Sequence, residues 1–133
     1  MNRIPNSIGY VEYTYSAQNR MTYGLVQNRA GKFVTPDSKG FQAAAATADW
    51  KHSKDFFLVM TDASGPNAYP VTATVFILMR KHPKDAEHSK AALKFFRWGI
   101  EHGQAAADTL NYVSIPGALV TQIEGYWTAN FPL

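Results

Sequence analysis

Residues 71–79, Val71-Thr72-Ala73-Thr74-Val75-Phe76-Ile77-Leu78-Met79, constrain this chain more than any other stretch. β-Branched and aromatic side chains suit a pleated surface, and a run this apolar reads as a central, buried strand. His82-Pro83 ends it, and everything downstream reads as helix. From Lys84, Ala92, Phe95, Phe96, Gly99 and Ile100 form an apolar face that stops near Gly103. A short helix over 104–110 follows, and Ser114-Ile115-Pro116 opens a last one with Leu119, Val120, Ile123 and Trp127 inward. A lone buried strand needs neighbours for its backbone groups and cover for its faces. Nothing in residues 84–133 supplies them, so the chain is expected to be incomplete.

The first half offers little relief. Ile8-Gly9-Tyr10-Val11 is a short β-prone run, and residues 12–19 suit two helical turns ended by Asn19-Arg20. Residues 21–27 and 32–34 are predicted to pair as a hairpin around Asn28-Arg29-Ala30-Gly31, with the glycine at positive φ. Asp37 or Ser38 caps a predicted helix over 39–49, with Phe41, Ala44, Ala45 and Ala48 on one face. Phe56-Phe57-Leu58-Val59-Met60 suits a buried strand, and Asp62-Ala63-Ser64-Gly65-Pro66-Asn67 is the densest turn cluster. The fold class is therefore mixed α/β. At 133 residues a single domain is expected.

Charge and motifs narrow the function mainly by exclusion. The 13 basic and 10 acidic residues leave a net charge of +3, and the basic ones are scattered, so no nucleic-acid partner is expected. There is no cysteine, hence no disulfide or thiolate site. The apolar run 71–79 falls well short of the roughly 20 residues that a membrane-spanning helix needs. Met1-Asn2-Arg3-Ile4-Pro5-Asn6 has no apolar core of a secretory signal. His82 and His88 lack a carboxylate at a ligand spacing, so no metal site is expected. Asp62-Ala63-Ser64-Gly65 lacks the longer glycine pattern of a phosphate loop and reads as a turn. Tyr10, Tyr13 and Tyr15, without interleaved basic residues, read as packing side chains, as do Phe95, Phe96 and Trp98. No nucleophile has a base beside it in the pattern, so neither an enzyme nor a cofactor is expected.

Several strings taken together resemble one family: Asn6-Ser7-Ile8-Gly9-Tyr10-Val11-Glu12-Tyr13, Phe41-Gln42-Ala43-Ala44-Ala45 with Ala48-Asp49-Trp50, and Tyr69-Pro70 running into residues 71–78. Leu93-Lys94-Phe95-Phe96-Arg97-Trp98, Gly103-Gln104 and Leu110-Asn111-Tyr112-Val113-Ser114-Ile115-Pro116 extend the likeness over residues 6–130. The family is the periplasmic phosphate-binding protein of the ABC-type phosphate importer. One departure is Asn6, where the family has glycine.

The resemblance implies the C-terminal portion of a two-lobed, type II periplasmic-binding-protein fold. Residues 1–68 would end the second lobe, and residues 69–133 would return to complete the first. It implies a periplasmic location, with inorganic phosphate and the transporter's membrane subunits as partners of the full-length protein. The family holds phosphate with a Thr-Phe pair, a serine and an aspartate from the first lobe, and an arginine with a Ser-Gly-Thr loop in the second. All lie upstream of the matched region, so no phosphate-binding residue is assigned in this chain. Ser64-Gly65 is not that loop, because Pro66 follows it. The alternative reading is a stand-alone interaction module that kept the fold and lost the ligand. On either reading, the strand and helix faces left unpaired by a partial fold are expected to favour a homo-oligomer.

Overall fold

The computed structural model describes residues 4–131. Helix α1, Tyr13–Gln18, begins at Glu12, whose carboxylate accepts from the amides of Thr14 (3.0 Å) and Tyr15 (3.1 Å). Strands β1, Val26–Gln27, and β2, Phe33–Val34, pair antiparallel with Val26 opposite Val34 and Gln27 opposite Phe33. Gly31 closes the turn at φ 78°, in the left-handed region where a Cβ is penalised, as the turn sequence predicts. Helix α2, Ser38–Ala46, is capped by Asp37, whose Oδ1 accepts from the Gly40 amide at 2.8 Å. It ends three residues before the predicted limit, where both the amide and the hydroxyl of Thr47 donate to the Ala43 carbonyl.

Two 3-10 turns follow, Trp50–His52 and Lys54–Phe56. The second holds Asp55 (φ 52°) and Phe56 (φ 59°) consecutively in the left-handed region, an arrangement costly for side chains with a Cβ. Three helices close the chain: α3, Ala86–His102, α4, Gln104–Thr109, and α5, Gly117–Asn130. Their limits follow the sequence signals. Asp85 caps α3, Gly103 ends it, and Pro116 stands just before α5.

The core is small. Trp50, Met60 and Leu119 are buried together, with Ala45, Ala48, Phe56, Leu58, Ile115 and Ile123 packed around them. The Trp50 indole N–H donates to the Ala45 carbonyl at 2.7 Å, which satisfies its one polar atom inside that cluster. Residues on both sides of position 68 thus share one core. A second contact chain runs through Tyr13, Phe41 and Tyr69, whose rings meet edge-on at 5.3 Å in each pair and tie α1 and α2 to the loop before residue 71.

Three strand expectations fail. Residues 8–11 form no strand, and Ile8 and Tyr10 lie fully in solvent. Residues 56–60 begin in a 3-10 turn, and 57–60 belong to no strand. Residues 71–79 belong to no strand, and their apolar side chains are exposed on both faces: Val75 (89%) and Ile77 on one, Phe76 and Leu78 (94%) on the other. The predicted interior strand flanked by the helix of Phe95 and Phe96 is therefore absent among the described residues. The reason is a shortage of edges. The one sheet among them has two strands of two residues each, too short to pair with a nine-residue run. β-Branched residues prefer an extended backbone, but a ladder also requires a segment to pair with.

Candidate functional site

The turn cluster at 62–70 is held by several hydrogen bonds. Asp62 takes φ 58° and its amide donates to the Pro70 carbonyl at 2.8 Å, while the Ala68 amide donates to the Gly65 carbonyl at 3.0 Å. Gly65 is buried against Thr47 and Ala68. A Cβ there would come within 3.0 Å of Thr47 Cγ2, so close packing explains the glycine. The loop is fastened by Asn28, which sequence reasoning read only as a turn residue. Its buried Nδ2 donates to the carbonyls of Pro66 (3.1 Å) and Ala68 (3.2 Å), and its Oδ1 accepts from the amides of Ala30 (3.1 Å) and Lys32 (3.0 Å). One side chain closes the hairpin turn and pins it to a loop some forty residues on. The only sequence signal was an asparagine in a turn, which tolerates many roles.

Asp62, Ser64 and Gly65 thus lie in a turn clamped by backbone and Asn28 hydrogen bonds. Two of the four histidines, His52 and His88, take part in local capping. His88 Nδ1 lies 2.6 Å from Asp85 Oδ2, and Asp85 Oδ1 accepts from the His88 amide at 3.0 Å, so the pair is the α3 cap. Asp49 and His52 repeat the arrangement at 2.9 Å on the first 3-10 turn. The backbone and side-chain hydrogen bonds from His88 hold the Asp85 carboxyl below the usual carboxylate range. Among the described residues no three of His, Asp and Glu converge as metal ligands.

The aromatic candidates separate. Tyr10 is fully exposed, Tyr13 packs on Phe41, and Tyr15 points to solvent, so the three make no common stacking face. Phe95 meets Phe96 edge-on at 5.6 Å, and Trp98 lies 6.1 Å from the His102 ring. The buried residue of α3 is Leu93, beside rather than within the predicted face.

A polar clip links the second 3-10 turn to α5. The Asp55 carboxylate accepts a short hydrogen bond from the Tyr126 hydroxyl and one from Lys81 Nζ at 3.4 Å. Lys81 Nζ also donates to Asn130 Oδ1 at 3.2 Å and sits 5.4 Å over the Tyr126 ring. The Phe56 ring meets Tyr126 edge-on at 5.4 Å. The Tyr126 hydroxyl and then Lys81 hold the Asp55 carboxyl below its ordinary range. All these polar groups are exposed, and they form a structural tie between distant segments.

Two shallow hollows remain. One of about 330 Å³ is lined by Pro83, Ala86, Glu87, Ser89, Lys90, Leu93 and Phe131. The other, about 130 Å³, lies between Tyr13, Ser38, Asp108 and residues 111–113. Neither gathers several cationic groups or convergent amides of the kind that hold an anion. No helix among the described residues is long and apolar enough to cross a membrane.

The relatives matched at 40–53% identity carry the name of a binding protein. They are phosphate-binding proteins PstS, to which the chain is related over nearly all its own length. The protein of that name from Xylella fastidiosa is 53% identical over 131 residues, which is 98% of this chain and 36% of the relative. That from Pasteurella multocida is 40% identical over 127 residues, 96% of this chain and 37% of the relative. That from Methanocaldococcus jannaschii is 27% identical over 123 residues, 84% and 32%. The chain spans about a third of the length of the curated relatives it matches, consistent with their C-terminal part. No protein-family profile matches it.

Proposed function

We propose that this chain is the C-terminal portion of the substrate-binding component of an ABC phosphate importer, which captures inorganic phosphate in the periplasm and delivers it to the membrane subunits. The observation that carries this reading is 53% identity across 98% of the chain to a protein named for phosphate binding. In this reading the parent fold is two-lobed and of type II, residues 1–68 end the second lobe, and residues 69–133 return to the first. The chain holds none of the phosphate ligands itself. Exposure of the apolar run 71–78 weighs against the stand-alone module, which would be expected to cover it.

Two titrations test the proposal. Calorimetry of the isolated chain with inorganic phosphate should show no saturation below about millimolar concentration, because each charge-assisted hydrogen bond lost costs about 1.5–3 kcal/mol. A chimera in which this chain replaces the 131 matched residues of the Xylella fastidiosa relative should bind phosphate within about tenfold of that relative, or about 1.4 kcal/mol. Micromolar binding by the isolated chain would overturn the assignment of ligands elsewhere, and loss of binding in a folded chimera would overturn the functional reading.

A further inference from the structure

Thr72 is buried, and its hydroxyl donates to the Tyr69 carbonyl at 2.7 Å, so the chain is fastened up to that point. It is fastened again at Asp85, which caps α3. Between these anchors, residues 73–84 belong to no helix or strand, and none of their backbone groups is hydrogen-bonded among the described residues. Thr74, Met79 and Pro83 are half-buried, and the remaining side chains of the stretch are exposed. Arg80 has no hydrogen-bond or ion-pair partner among the described residues, whereas its neighbour Lys81 holds Asp55 at 3.4 Å and Asn130 at 3.2 Å. Outside the stretch, every described basic residue sits in a helix, a 3-10 turn or a hydrogen-bonded turn.

A protease takes its substrate extended, with main-chain hydrogen bonds to the cleft and pockets for alternate side chains, in the manner of strand addition. A segment that is already helical or paired must first open, at a cost that rises toward the stability of the whole fold. Residues 73–84 have no main-chain bond to give up, and unfastened, exposed backbone is where nicking concentrates. We infer that the Arg80–Lys81 bond is a processing site for a protease whose S1 pocket is acidic. The exposed, unpartnered guanidinium of Arg80 fits such a pocket. Lys84 fits less well, because Asp85 and the first turn of α3 follow it directly. In the cut, water adds across the bond: its hydroxyl goes to the Arg80 carbonyl carbon, the C–N bond breaks, and Lys81 leaves with a new α-amino group. The two pieces stay together, since Trp50 and Met60 share a core with Leu119, and Asp55 is bonded to Tyr126. This site rests on exposure and hydrogen bonding alone and is independent of the phosphate reading.

Brief digestion of the native chain with a low proportion of trypsin, followed by intact-mass spectrometry, tests this site. The first products should be residues 1–80 and 81–133, which co-elute in size exclusion and part only in denaturant. Arg80→Gln should leave the melting temperature unchanged, because that side chain is exposed and unpartnered, and should slow the first cut at least about tenfold. Lys84→Gln should leave the rate of that cut as it is in the parent. A first cut inside a helix or the β1–β2 hairpin would overturn the inference, as would an Arg80→Gln chain that is still cut between residues 72 and 85 at the parent's rate. Pieces that separate without denaturant would overturn the shared core as the tie that holds the cut chain together.

Discussion

Asn28 shows how much of this fold depends on a single amide. Its side chain is buried and makes four hydrogen bonds to backbone groups of two separate loops. Asn28→Ala leaves the buried Ala68 carbonyl and three part-buried bonds without their partner, at a cost of about 1–3 kcal/mol. Urea unfolding followed by tryptophan fluorescence should show that loss with an unchanged slope. Asp55 is the other residue whose effect can be given a sign. Its carboxyl is held below the unfolded value by the Tyr126 hydroxyl and Lys81, so its stabilisation is present above the unfolded pKa of about 3.9 and is lost as pH falls through the lower folded value. Tyr126→Phe should therefore lower the urea midpoint at neutral pH, and the difference from the parent should shrink as acid protonates Asp55. A difference that stays constant down to about pH 2 would show that the tyrosine acts through its ring packing on Phe56 alone.

At the scale of elements, local chemistry and long-range pairing part company. Helices α3, α4 and α5 lie where Asp85, Gly103 and Pro116 place them, and the β1–β2 hairpin lies where Gly31 allows a positive φ. These signals act within a few residues, so they are legible in one sequence. Asp85→Ala should lower α3 stability by about 1 kcal/mol, seen as lost helical circular dichroism on heating. The strands at 8–11, 56–60 and 71–79 were misread for the opposite reason. A β-rich composition states a preference, but a ladder needs a partner, and no described segment supplies one of the required length. The Asn28 tie and the Asp55–Tyr126–Lys81 clip stayed hidden because they join positions far apart in sequence. The turn at 62–65 was legible, since its residues are the local turn formers of the chain.

For the whole molecule, the open run at 71–78 has a colloidal consequence. The chain carries a net charge of only +3 at neutral pH and reaches its isoelectric point near pH 9.2, so mutual repulsion between copies fades as the solution becomes alkaline. Apolar side chains such as Leu78 and Val75 then meet between molecules with little to oppose them. Light scattering of the free chain should rise steadily from pH 7 toward about pH 9 and fall again on return, with added salt shifting the onset to lower pH by screening. Val75→Lys should move the onset the other way, because it adds a charge at the centre of the sticky run. Handling of this chain is thus governed by an alkaline solubility minimum, the reverse of the acid-side precipitation expected of an acidic protein, and a mildly acidic buffer of low ionic strength is the condition in which separate copies stay apart.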